Sequence, residues 1–203
     1  MIFADAALSL VDKAESNIKL IEQISTVFAS PVLNEWRYAI RHVLAALAKN
    51  DLQNDLSGEE AQKALGHLKR AYFDSCDIVL DCQLNTLCEI HEKCLGYAEV
   101  VRKVAPDYPV WLEKMRDAQR LHREAQTKHG DEREAAFDSL APTIKELDGI
   151  LDKLSFHAEE ISVAVRRERV NVWLTASAKI AGISVAALTL LKATFWAISH
   201  LCS

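Results

Sequence analysis

The sequence predicts an all-α fold: a bundle or hairpin of long helices over residues 1–169, followed by a single C-terminal transmembrane helix over 170–203. Three observations predict it. Apolar residues recur at helical spacing along most of the chain and nowhere alternate with polar ones as a half-buried strand requires. Only six glycines and four prolines punctuate 203 residues, so helices run long. The stretch after Arg169 is an apolar run bounded by Trp173 and Trp196.

The elements follow in order. Leu8, Val11, Ile18, Ile21, Ile24 and Phe28 place a first helix over residues 4–29. Ser30-Pro31 ends it and starts a second, because the fixed φ of proline suits a helix's first turn and its missing N–H is not needed there. That helix runs to about Asn50. The polar segment 50–57 reads as a loop, and Ser57-Gly58-Glu59-Glu60 as a capping box, in which serine and glutamate satisfy each other's orphan N–H groups. The third helix is expected to continue unbroken to Val104, more than 40 residues, with Pro106 and Pro109 closing it. A fourth spans Val110 to about Lys128. His129-Gly130-Asp131 turns the chain, and a last helix carries Pro142 near its start and feeds into the span.

Trp173 and Trp196 are 23 steps apart, about 35 Å at the helical rise, against a hydrocarbon core of roughly 30 Å. Both sit where an aromatic belt belongs, and Arg166-Arg167-Glu168-Arg169 just before them matches the positive-inside tendency, leaving the N-terminal body in the cytoplasm. Lys179 and Lys192 interrupt the run. At the centre of a lipid-facing helix each would cost about 2.5–3.5 kcal/mol, but they lie about 9 Å and about 6 Å from the ends, within reach of snorkelling. A last helix buried in the protein's own core or in an oligomer is the alternative. Ser177, Ala181, Ser184, Leu188, Lys192, Phe195 and Ser199 form one stripe; Thr175, Lys179, Gly182, Ala186, Ala193 and Ala197 form another. Small and polar stripes suit contacts between spans or a polar path through several of them. Two readings stand: an oligomeric pore with Ser177, Ser184, Lys192 and Ser199 inward and Leu188 and Lys179 in the span, or a tail anchor whose small residues pack a dimer.

A net charge of −5 leaves no global nucleic-acid footprint. Met1-Ile2-Phe3-Ala4-Asp5 has no basic n-region, so a cleaved secretion signal is not expected. Five cysteines without a disulfide-type framework fit a reducing compartment. Cys76, Cys82, Cys88 and Cys94 recur every six residues, but six helical steps turn about 240°, so one helix cannot gather them round a zinc ion. No metal or cofactor is expected.

The polar motifs lie on helices two to four. Arg37-Tyr38-Ala39-Ile40-Arg41-His42 sets a histidine five positions after an arginine. This spacing resembles the Arg-x4-His motif of the HEPN superfamily of small helical bundles, many of them metal-independent ribonucleases. The resemblance spans about Glu35 to Asp81 and implies that Arg37 stabilises the charge on an RNA phosphate while His42 moves protons. Tyr38 stands where family members usually have Asn, Asp or His. On the third helix Lys63, His67, Arg70, Asp74, Asp77 and Asp81 share one face, and Leu65, Leu68, Tyr72, Cys76 and Val79 the opposite one. Arg37, Arg41, His42, His67 and Arg70 thus form a candidate pocket for an anion such as a nucleotide phosphate, or else a salt-bridged face, with the aspartates reaching Arg37 and Arg41. On the fourth helix Arg116, Arg120 and Arg123 share a face that can hold a nucleic-acid backbone or nucleotide, with interleaved acids that suggest internal pairs instead.

A small helical body, an HEPN-like motif and one span together resemble a class of bacterial anti-phage effectors. The accessory membrane protein of some RNA-targeting CRISPR systems is an example. The resemblance implies a non-enzymatic homo-oligomer in the inner membrane, controlled by a nucleotide, a nucleic acid or a partner defence enzyme. A membrane-tethered ribonuclease using Arg37 and His42 and a tail-anchored scaffold are the alternatives.

Overall fold

The computed structural model of the chain is α-helical, with no strand among the described residues: α1 (Ile2–Ile24), α2 (Ser30–Ala48), α3 (Glu59–Cys94), α4 (Ala98–Val104), α5 (Tyr108–Gln126) and α6 (Gly130–Leu201). It describes residues 2–26, 28–49 and 58–201, and the side chains of all of these except 2, 131 and 180–201. Ser57 of the expected capping box lies outside them.

The chain forms two compact units, residues 1–93 with 107–156, and residues 94–106 with 157–203. The division falls after Phe156 rather than at the expected 169/170 boundary, and it assigns α4 to the second unit.

The first unit is built around α3. Its apolar face buries Leu68, Tyr72, Cys76, Val79 and Leu80, and its neighbours follow from the contacts those positions make. Asn17 of α1 donates to the Ser75 hydroxyl at 3.0 Å. Phe73 packs on Phe137 of α6 with ring centroids 4.8 Å apart, and the Tyr72 hydroxyl donates to the Phe137 carbonyl at 3.3 Å. Gln83 donates to the Ile144 carbonyl at 3.0 Å. From α2 the core receives Val32, Ala39 and Ala46, seven residues apart; side chains this small let helix axes approach closely. The α6 residues Phe137, Leu140, Ile144 and Leu147 are buried at heptad-like spacing. Pro142 sits on the exposed side of α6, where the carbonyl it deprives of a partner, that of Asp138, can bond to water.

The second unit packs α4 with α6 from His157 onward. Val101 on α4 and Ala105 just beyond its end are buried, as are Ile161 and Val165 on α6, and the Arg169 guanidinium lies 5.4 Å from the Tyr97 ring centroid.

Two expectations change. The third helix does not run to Val104; it stops at Cys94, and a separate short helix follows. Gly96 takes φ +82°, which only glycine adopts without strain, and the Tyr97 N–H closes the turn on the Cys94 carbonyl at 3.0 Å. Gly130, φ +56°, makes the expected turn into α6. As for a span, no helix is long and apolar enough to cross a membrane among the described residues. The side chains of 180–201, which carry most of the apolar run, lie outside that statement.

Candidate functional site

The polar face between α2 and α3 is the most ordered cluster of titratable groups. On α2, Glu35 and His42 are seven residues apart and so share a face; on α3, Glu60 and His67 do the same. Because the two helices form a hairpin, the pairs meet crosswise. His42 Nδ1 lies 2.7 Å from Glu60 Oε2, and His67 Nδ1 lies 2.6 Å from Glu35 Oε2. The two imidazoles stack, with centroids 5.2 Å apart and planes 13° from parallel, and the Tyr38 ring lies 5.3 Å from that of His67.

Electrostatics fix the protons. The hydrogen bonds from His42 and then Lys49, whose ammonium is 3.0 Å away, hold the Glu60 carboxyl down at about 2. Glu60 is therefore an acceptor, and His42 donates from Nδ1. Arg70 adds a longer contact, Nε to Glu35 Oε2 at 3.5 Å. The arrangement ties α2 to α3 at two points and locks the hairpin register.

Of the five residues expected round an anion, the structure brings together His42, His67 and Arg70, with Glu35 and Glu60 standing among them where an anion would sit. Arg37 and Arg41 point elsewhere. Five helical steps turn a net of about 140°, so Arg37 does not share a face with His42; it is exposed, its guanidinium 5.3 Å from the Tyr38 ring centroid. Arg41 is exposed and makes no ion pair with a described residue. The expected pairing of Asp77 and Asp81 with Arg37 and Arg41 is replaced by a histidine. His122 of α5, buried, bonds through Nε2 to Asp77 Oδ1 at 2.7 Å, with Asp81 3.9 Å from its other nitrogen. Burial, with Glu35 and Asp77 nearby, pushes the Asp74 carboxyl up.

On α5, Arg116, Arg120 and Arg123 share an exposed face. Arg120 is tied to Glu124 at 3.1 Å and Asp117 at 3.5 Å, the internal pairing that interleaved charges produce. Cys76 and Cys94 are buried, Cys82 and Cys88 half-buried. Burial pushes the Cys76 thiol up to about 12. No group of three or more metal-type ligands converges among the described residues. Of the residues expected in a span, Ser177 is half-buried and Lys179 exposed; the side chains of Ser184, Leu188, Lys192 and Ser199 lie outside the described residues.

No family model, curated protein or solved structure matches this chain.

The site brings in Glu35 as well as Glu60, which is expected from the sequence only as part of a capping box, and it gives His122 the partners Asp77 and Asp81. A signal for the first two was present: Glu-x6-His occurs on both helices, in the register an antiparallel hairpin needs.

Proposed function

We propose that this chain is a non-enzymatic membrane effector. Its C-terminal helices cross the bilayer as an oligomer and form or gate a pore, and its helical body receives the controlling ligand or partner. One observation carries the reading. On α6, Val170, Val172, Trp173 and Leu174 are all more than half exposed. At 100° per residue these four spread over about 200° of the helix circumference, with Asn171 and Thr175 on the remaining side, so no single packing face of about 100° shelters them all. An apolar arc that wide calls for cover beyond one packing face. Residues 180–197 extend it with one charge, Lys192. Arg166, Arg167 and Arg169, all exposed, stand immediately before it, where basic side chains meet anionic headgroups at about 1 kcal/mol each.

The same helix that lays Phe137, Leu140 and Ile144 into the first unit continues to Leu201. A change of packing around α3 thus has a continuous backbone along which to act on the tail. For this to switch, the controlling molecule must bind two arrangements of the body with different affinity. The crossed Glu–His pairs are an element it can act on. Bacterial anti-phage defence at the inner membrane, with the body in the cytoplasm, is the setting this architecture suits.

The test is membrane potential, read with a voltage-sensitive dye in bacteria expressing the full chain. Depolarisation is expected, with altered conductance in Lys192→Leu or Ser184→Leu and none in Leu188→Asp. A chain that never depolarises, even under phage challenge, sinks the pore. RNA cleavage lost on Arg37→Ala or His42→Ala would put the tethered ribonuclease in its place.

A further inference from the structure

The flank of α2 turned away from the Glu–His pairs is apolar and uncovered. Leu33, Ile40, Leu44 and Leu47 are 39, 60, 61 and 54 % exposed. With half-buried Trp36 they follow at steps of three, four, four and three, all within a stripe about 80° wide at 100° per residue. The series reads the same in both directions about Ile40. Its two halves differ in relief. Leu33 and Trp36 border a groove of about 410 Å3 between α1 and α2, whose other walls include Val11, Ile18 and Phe28. Leu44 and Leu47 do not line this groove and are more than half exposed.

We propose that this stripe is a two-fold interface between copies of this chain, in which Leu44 and Leu47 of each copy fill the α1–α2 groove of the other. A two-fold contact requires a patch complementary to itself, and a palindromic stripe with a groove at one end and protruding leucines at the other meets that requirement. Antiparallel packing about Ile40 sets it on Ile40 of the partner subunit. Trp36 then meets Leu44 of the partner subunit, and Leu33 meets Leu47 of the partner subunit. A helix from a different protein would need no palindrome. No charged residue interrupts the five-residue series, and Arg37 and Arg41 flank it on one side. The interface lies wholly in the first unit; it supplies a defined contact for the oligomer proposed above, and rests on that reading for this consequence alone.

A residue on a two-fold axis meets its own copy, which gives a specific test. Full-length Ile40→Cys is treated in isolated membranes with a short bis-maleimide, which spans the 8–10 Å between packed helices. Wild type gives the background of the native cysteines, and Gln62→Cys, exposed on α3, controls for random encounter. A cross-linked dimer is expected from Ile40→Cys well above both controls. It should fall at least ten-fold when Leu44→Glu and Leu47→Glu are added, since both side chains lose an apolar site. These two positions are exposed, so circular dichroism should show an unchanged fold. Ile40→Cys cross-linking no more than Gln62→Cys overturns the interface, and so does a dimer indifferent to the glutamates. Fractionation separates the two proposals: membrane-bound chain without the dimer sinks the interface alone, and a dimer found only in the soluble fraction sinks the span alone.

Discussion

Two stretches of α6 obey different rules. Over residues 137–154, Phe137, Leu140, Ile144, Leu147, Ile150 and Leu154 are buried, while Asp138, Ser139, Lys145 and Glu146 between them are exposed. Over residues 170–174 the apolar residues themselves are exposed, and they spread over about 200° of the circumference. The first stretch is amphipathic because this chain supplies its core. The second leaves its apolar residues exposed over an arc too wide for one packing face. One helix thus joins a stretch whose apolar stripe is buried to a stretch whose apolar residues face outward.

The contrast breaks most sharply at Phe137, the largest of the fully buried side chains. Its ring packs on Phe73, and its removal leaves a cavity that a three-helix contact cannot close. Phe137→Ala should destabilise the first unit by about 3–5 kcal/mol, measured by denaturant unfolding of the full chain in detergent and followed by circular dichroism. A loss below about 1 kcal/mol would mean that this stretch of α6 is no more anchored than residues 170–174.

Much of this was legible in the sequence, and for physical reasons. Helix periodicity located every long element, because a one-sided apolar stripe is the direct imprint of burial. The apolar face of α3, Leu68, Tyr72, Cys76 and Val79, is the buried one. The end of α3 was not legible, because Gly96 is a single permissive residue within a helical pattern, and whether it takes positive φ depends on tertiary packing. The polar site was half legible. Arg37 and His42 caught attention through their spacing along one strand of sequence, yet five steps turn them apart. The pairing that the structure makes runs between helices, and a carboxylate beside each histidine is invisible until the two Glu-x6-His series are set antiparallel.

The crossed pairs give a smaller, pH-dependent effect that sharpens the contrast, since they lie on a polar seam rather than in the core. The carboxyl of Glu60 sits at about 2 when folded, against an ordinary value of 4.5. A group depressed on folding stabilises the fold fully above its unfolded value, and the contribution drains away as pH falls toward the folded one. Glu60→Gln removes that contribution. The stability gap between wild type and Glu60→Gln should therefore be constant above about pH 5 and close between 4.5 and 2. A gap that persists at pH 2 would mean that the Gln side chain disturbs packing rather than charge.

The smallest effect on folding, and the most telling, is expected at Leu174. It is exposed, so exchanging it for serine leaves no cavity and strands no polar group in the fold. Leu174→Ser should change the unfolding free energy of the first unit by no more than about 0.5 kcal/mol, as surface replacements do. Its partition into lipid vesicles should nonetheless weaken by about 1 kcal/mol or more, since an apolar side chain that leaves water on insertion is replaced by a hydroxyl. The two readouts run opposite to those at Phe137, where folding suffers and the tail is untouched. If Leu174→Ser destabilised the fold while leaving vesicle binding unchanged, residues 170–174 would be packed against protein, and the tail would be a buried helix of an assembly rather than the start of a span.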